Sequence, residues 1–212
     1  MAKAMTMSYE AGENLYINVT NRCPCACTFC IRNNGDGAYG SDPLWLEHEP
    51  SMEEMQADLA KRDMSKYKDI VFCGYGEPLM RLDYVCALAA WLRETYPGIR
   101  LRLNTNGLAD LYNAEEASAE GTSAAARTAP LFDKISISLN GGTTEVYNRV
   151  TRPRGGGEAP YETMLRYAET CKALGTDVMF TVVDVISPEE IAQAQAKADA
   201  VGIPLDVREY VG

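Results

Sequence analysis

The sequence predicts an α/β protein built from six β/α units, and two observations carry that expectation. Short apolar or alternating runs at 15–20, 70–73, 99–103, 134–139, 178–185 and 205–210 are separated mostly by stretches of helical hydrophobic period, the pattern of strands joined by crossover helices. The first two strands also lead directly into the two most unusual stretches of the chain, a cysteine-rich loop at 20–30 and a Gly-Tyr-Gly-Glu-Pro turn at 74–78. In parallel α/β folds, sites are placed at the C-terminal strand ends.

The first strand alternates Leu15, Ile17 and Val19 with Tyr16, Asn18 and Thr20. It delivers Thr-Asn-Arg-Cys-Pro-Cys-Ala-Cys-Thr-Phe-Cys, which holds four of the seven cysteines. Cys23, Cys27 and Cys30 form a Cys-x3-Cys-x2-Cys run able to wrap one metal centre from one side. Thiolates favour zinc or iron-sulfur clusters. Structural zinc usually closes with four ligands in two pairs, and no second Cys/His pair follows this run. A cubane cluster usually takes four cysteines, so three leave one iron open to a ligand from outside the protein. Residues 32–42 are polar and Gly-rich. A loop of that length is more often functional than filler, and Leu44, Trp45 and Leu46 are expected to pin it to the core. His48, the only histidine, reads as a surface residue.

Ser51 and Glu54 form a capping box ahead of a helix with Met52, Met55 and Leu59 on its apolar face. The buried strand 70–73 ends at Gly74-Tyr75-Gly76-Glu77-Pro78. Glycines there let backbone approach a ligand, and the Glu77 carboxylate suits an ammonium group; a plain Gly/Pro turn is the alternative. Helix 83–96 turns Val85, Leu88, Leu92 and Tyr96 inward and stops at Pro97-Gly98. Strand 99–103 ends in Asn104-Thr105-Asn106-Gly107, whose short polar side chains suit either a ribose or a turn. The Ala-, Glu-, Ser- and Gly-rich stretch 113–128 reads as a solvated insertion.

Strand 134–139 sets Ile135, Ile137 and Leu139 on one face and Ser136, Ser138 and Asn140 on the other. Arg149, Arg152 and Arg154, just before Gly155-Gly156-Gly157, form a local basic patch. Arginine suits bidentate carboxylate or phosphate recognition, with Arg152 the first choice and a solvated turn the alternative. Helix 161–174 stops at Gly175, strand 178–185 carries Asp184 near its end, helix 188–201 stops at Gly202, and 205–210 is the last strand.

The 212 residues fit a single domain, 1–212, and 46% hydrophobic with 24% charged content supports a globular core. Against 20 Lys+Arg stand 30 Asp+Glu, a formal net charge of -10. A field of that sign opposes non-specific nucleic-acid binding. No apolar run approaches the roughly 20 residues of a membrane helix, and residues 1–13 lack the apolar segment of a secretory signal. An odd number of cysteines with a cluster-like triplet suits the reducing cytoplasm.

The cysteine triplet with Phe29 before its last member, joined by Gly74-Tyr75-Gly76-Glu77-Pro78 at the next strand end, resembles the signature of the radical S-adenosylmethionine (SAM) superfamily. The resemblance implies the superfamily's open (β/α)6 partial barrel. It implies a [4Fe-4S] cluster held by Cys23, Cys27 and Cys30, with SAM chelating the open iron. Reduction of the cluster would cleave SAM to methionine and a 5′-deoxyadenosyl radical that abstracts hydrogen from a substrate. The electron would come from a donor such as flavodoxin or ferredoxin. Glu77 with Gly74, Tyr75 and Gly76 would seat the methionine end, Phe29 would pack near the adenine, and Asn104 and Ser138 would reach the ribose. Arg152 and Asp184 complete the expected cofactor site. Cys25 could serve as a fourth ligand, but it is expected to point away, because the other three already have the family spacing. No catalytic base or radical-quenching residue emerges, and Cys73, Cys86 and Cys171 receive no role.

The wording at 15–23, 44–46 and 72–78 looks like one branch, the TatD-associated radical SAM proteins, named for a genetic association with TatD-type nucleases. After Cys86 only Cys171 remains, so neither an auxiliary cluster domain nor a methyl-carrying C-terminal cysteine is expected. Small cores of this kind resemble glycyl-radical activating enzymes, which act on a protein loop, and 7-carboxy-7-deazaguanine synthases, which act on a small pterin. The expectation is hydrogen abstraction from an unidentified substrate partly enclosed by the loop 32–42. The alternative is a non-catalytic iron-sulfur protein for electron transfer or redox sensing, which would need no Gly-x-Gly-Glu-Pro pocket.

Overall fold

The structure is a computed structural model that describes residues 3–118 and 121–210. It opens with a hairpin of β1 (Ser8–Ala11) and β2 (Asn14–Ile17), paired antiparallel. Strands β3 (Ile70–Phe72), β4 (Leu101–Thr105), β5 (Lys134–Ser138), β6 (Asp177–Val183) and β7 (Leu205–Arg208) then add one after another in parallel. The result is a seven-stranded sheet whose strands lie in sequence order. Each parallel step requires a crossover. Most of those crossovers carry helices: α1 (Met52–Leu59), α2 (Leu82–Thr95), α6 (Thr144–Thr151), α7 (Glu158–Ala173) and α8 (Pro188–Val201). Between β4 and β5 lies the short α3 (Ala109–Tyr112), and the stretch 113–128, expected as a solvated insertion, holds α4 (Ala114–Ala117) and α5 (Ala124–Thr128) with Ala117, Ala124, Ala125 and Thr128 buried.

Period-2 alternation sorts the sheet into two faces. Leu15, Ile17, Ile70, Phe72, Leu101, Leu103, Ile135 and Ile137 are all fully buried, in one core with Leu88, Leu92, Met164 and Tyr167 of the covering helices. The opposite face carries Tyr16, Arg102, Asn104, Ser136 and Ser138, a polar interior around which the sheet curls. Local signals place the helices as expected. Ser51 and Ser187 each head a complete capping box, and α8 begins with Pro188 and ends at Gly202 with φ 63°. Among the described residues no helix is long and apolar enough to cross a membrane.

Two elements were not legible in the sequence. Strand β1, Ser-Tyr-Glu-Ala, has no apolar run, and it exists because the free edge of β2 accepts it. Helix α6 occupies the expected basic turn. Thr143 caps it by accepting the Val146 N–H, and Val146, Tyr147 and Val150 are buried. Its polar residues, Arg149 among them, hide a helical period only two turns long. A smaller shift moves the third expected strand to 101–105, so Asn104 and Thr105 are strand residues rather than a turn.

Candidate active site

Buried polar side chains, rather than the thiols, shape the approach from β2 into the cysteine loop. Asn18 is fully buried. Its Nδ2 donates to the carbonyls of Leu44 (2.8 Å) and Thr6 (3.3 Å), and its Oδ1 accepts the Tyr75 backbone N–H (3.4 Å). Asn21 pairs with Leu46 in both directions, donating at 2.8 Å and accepting at 3.0 Å. Thr20 donates to Glu49 at 2.5 Å and accepts the Arg22 N–H at 3.0 Å. Leaving such a group unpaired costs about 1–3 kcal/mol, so this brace fixes three loops together.

The glycines of the turn answer to the same brace. A Cβ on Gly74 would stand 2.1 Å from Asn18 Oδ1, and one on Gly76 would stand 2.2 Å from the Thr20 carbonyl oxygen. Contact of loop on loop therefore requires both glycines, where the sequence suggested ligand approach.

Cys23, Cys27 and Cys30 are partly exposed and line a cavity of about 340 Å³, within the ~300–1,000 Å³ common for small-molecule sites. The same cavity takes in Phe29, Gly74, Tyr75, Gly76, Glu77, Asn104 and Ser138. Phe29 packs against a cluster containing Val146, Val150 and Val182. The Tyr75 hydroxyl bonds the carbonyls of Gly35 (2.9 Å) and Gly37 (3.0 Å), fastening the long loop over the site. Leu44 and Leu46 anchor that loop as expected, being 0% and 1% exposed. His48 is exposed and bonds Glu54 at 2.9 Å.

Two expected residues stay outside. Arg152 is exposed just past the end of α6, with left-handed backbone at φ 46°, because the helix carries it to the outer surface. Asp184 is also exposed. Its carboxylate accepts the Tyr210 backbone N–H at 2.6 Å, joining the end of β6 to the chain beyond β7. Cys25 is the reverse case. Expected to point away, it is only 6% exposed and lines the cavity. Its backbone bridges to Pro153 on the outer side, and Asn106 Nδ2 lies 3.7 Å from its sulfur on the inner side. Hydrogen bonding with Cys25 draws the Cys23 thiol down, and contact with Cys23 and Cys27 pushes the Cys25 thiol up. The Arg32 guanidinium stands 3.3 Å from the Cys30 sulfur and lies over the Trp45 ring at 5.6 Å.

Glu77 is 6% exposed and accepts hydrogen bonds from Thr105 Oγ1 (2.6 Å), Asn106 N–H (2.8 Å) and Leu79 N–H (3.1 Å). These bonds clamp the glycine turn to the end of β4. Burial pushes the carboxyl up to about 7 despite them.

The donor set fits an iron-sulfur cubane. Cys23, Cys27 and Cys30 present three partly exposed thiols from one loop to one cavity, and a cubane asks for one thiolate at each of three irons. One buried polar atom on the cavity residues, Asn104 Oδ1, has no partner among the described residues. Such groups are normally bonded, which fits a ligand bringing polar groups of its own.

One wall was missed from the sequence. Tyr9, Tyr16, Tyr39, Tyr210 and Arg208 line it. Tyr9 stacks on Tyr16 at 5.3 Å, and Tyr39 stands 6.3 Å from Tyr16 with positive φ of 54°. Tyr16 could have been found as a polar-face residue of its strand, whereas Tyr9 lies on the strand that the sequence concealed.

Residues 17–198 match the family described as the Radical SAM superfamily. The chain belongs to the radical SAM superfamily. A GTP 3′,8-cyclase of Rhodococcus opacus (strain B4) is 28% identical over 143 residues, 68% of this chain and 36% of the cyclase. SuiB of Streptococcus suis bound to S-adenosylmethionine superposes with a TM-score of 0.66 at 15% identity, over 94% of this chain and 41% of that chain. Native anSMEcpe with bound AdoMet gives 0.62 at 18% identity, over 92% of this chain and 50% of that chain. The chain therefore spans half or less of each of these proteins. The structural likenesses establish the α/β partial-barrel fold, and the superfamily uses a [4Fe-4S] cluster and SAM.

Proposed function

We propose that Cys23, Cys27 and Cys30 hold the [4Fe-4S] cluster, and that the enzyme abstracts hydrogen from a substrate bound in the same cavity. When bound, the cluster and SAM supply a 5′-deoxyadenosyl radical by reductive cleavage. The chain's own residues do the rest. The glycine turn 74–77 would border the methionine end of SAM, with Glu77 holding that turn to β4. Asn104 and Ser138 offer polar contacts to the ribose, and Phe29 offers an apolar face to the adenine. Tyr75 and the loop it fastens keep water from the cavity, which protects a radical from side reactions.

The observation that carries this reading is the meeting of three partly exposed thiols, the glycine turn and the unpartnered Asn104 Oδ1 around one cavity of about 340 Å³. The wording of the first two strands supports membership of the TatD-associated branch, with a functional link to a TatD-type nuclease and an electron donor of the flavodoxin or ferredoxin kind. SuiB has been observed bound to its precursor peptide, which supports peptide substrates as one class to be screened beside small heterocycles.

The test is anaerobic reconstitution with iron and sulfide, followed by reduction in the presence of SAM and chromatography for 5′-deoxyadenosine. The expected result is 5′-deoxyadenosine from wild type and none from Cys27→Ala. A reconstituted, reduced protein that leaves SAM intact would overturn the proposal.

A further inference from the structure

We propose that the exposed arginines Arg152 and Arg154, on the outer side of the cysteine loop, form the docking surface for an acidic one-electron carrier protein. The inference rests on the proposed cluster site and adds to it the route by which an electron arrives.

The geometry begins with a backbone zipper. Residues 24–28 of the cysteine loop pair with 150–154, the end of α6 and the chain just beyond it. The Thr28 N–H donates to the Val150 carbonyl at 2.8 Å, and the Ala26 N–H to the carbonyls of Thr151 and Arg152 at 3.2 Å. The Arg154 N–H donates to the Pro24 carbonyl at 2.9 Å, and Cys25 bridges to Pro153. The arginine segment is thus a single backbone layer away from the thiols. Within it, Pro153 is buried against the loop while Arg152 and Arg154 are both exposed.

Neither guanidinium is neutralised. The ion pairs of the described residues engage Arg149 with Glu190 and Arg22 with Glu49, but neither Arg152 nor Arg154. Arg154 lies over the Tyr112 ring at 5.1 Å, which leaves its charge in place and limits its motion. Arg152 is held in the left-handed region at φ 46°, a conformation unfavourable for a non-glycine residue. Glycine or asparagine is the usual choice at such a helix end.

The setting determines the partner. A chain of net charge -10 repels an acidic protein over most of its surface. Unpaired positive charge concentrated beside the cluster loop steers such a protein to that one face. The reaction class needs one electron per SAM cleaved, delivered to a site enclosed by protein, so the face behind the cysteine loop is where an acidic carrier gains most from docking.

The test uses the anaerobically reconstituted protein and follows the rate at which its cluster is reduced, by absorbance and by electron paramagnetic resonance. Two reductants are compared: flavodoxin hydroquinone, an acidic protein, and a photoreduced deazaflavin, a small molecule. With flavodoxin, Arg152→Glu/Arg154→Glu is expected to slow reduction at least about tenfold at low ionic strength. The same change should abolish the fall in rate that salt produces in wild type. With deazaflavin, wild type and variant should agree within about twofold. Arg152→Asn/Arg154→Gln removes the charge while keeping a residue tolerant of left-handed backbone at 152, and it should give an intermediate loss. Equal flavodoxin rates in wild type and variants would overturn the proposal, as would parallel slowing with both reductants, which would make the arginines supports of the loop. Failure of the underlying site reading looks different: wild-type protein would take up no cluster before any reductant is added.

Discussion

Glu77 links burial to pH in a way that can be measured on cluster-free protein. Its carboxyl titrates near 7 in the folded chain against an ordinary 4.5, so the folded state holds its proton more tightly than the unfolded state does. The stabilisation from this group is complete below about pH 4.5 and is lost as pH rises through about 7. The shift is worth about 3 kcal/mol at most. Denaturant titrations at pH 4.5, 6 and 7.5 should show this decline, and Glu77→Gln should flatten it; a slope unchanged by the substitution would remove Glu77 as its source. The glycines give a second prediction at this scale. Gly74→Ala meets a side chain, so Asn18→Ala made with it should cost less than the sum of the two single changes. Gly76→Ala meets the Thr20 carbonyl, and no side-chain change should relieve its cost of about 1–3 kcal/mol or more. A double-mutant cycle with zero coupling between positions 18 and 74 would contradict the packing account. At the residue scale, spacing alone was enough to anticipate that the three cysteines and Glu77 meet at one cavity. It was misleading where tertiary contact decides direction, as with Cys25, whose inward orientation follows from a bridge to a residue 128 positions away.

Elements with strong local signals formed where expected. Helix α8 begins at Pro188 and ends at Val201, bounded by its capping box and Gly202, and α1 begins just after Ser51. Helix α6 was concealed because eight residues with two buried valines and an arginine near the end show little period, and its C-terminal residue is arginine rather than glycine. Missing that helix is why Arg152 was expected in the cavity. The long loop after the cysteines shows how one side chain governs an element. Two carbonyls of the loop depend on the Tyr75 hydroxyl. Tyr75→Phe should lower global stability by about 1–2 kcal/mol and raise amide hydrogen exchange across 35–42 well beyond that of α2 or α7. Uniform exchange changes across the whole chain would contradict a local fastening role.

At the scale of the whole molecule, the parallel strands β2 to β7 lie in sequence order and bring loops from their C-terminal ends to one rim. Each strand was legible as a separate short run, and the partial barrel that orders them was what the family resemblance implied. The tyrosine wall was not legible, since it depends on a hairpin strand without an apolar signature. The rim collects the thiols, the glycine turn and the polar ends of β4 and β5 around a single cavity, and the central claim is that this cavity joins a cluster to SAM. The most direct measurement is electron paramagnetic resonance of the reconstituted, reduced protein with and without SAM. The account predicts a cluster signal that changes when SAM is added and is lost in Cys27→Ala. A cluster signal indifferent to SAM would contradict it.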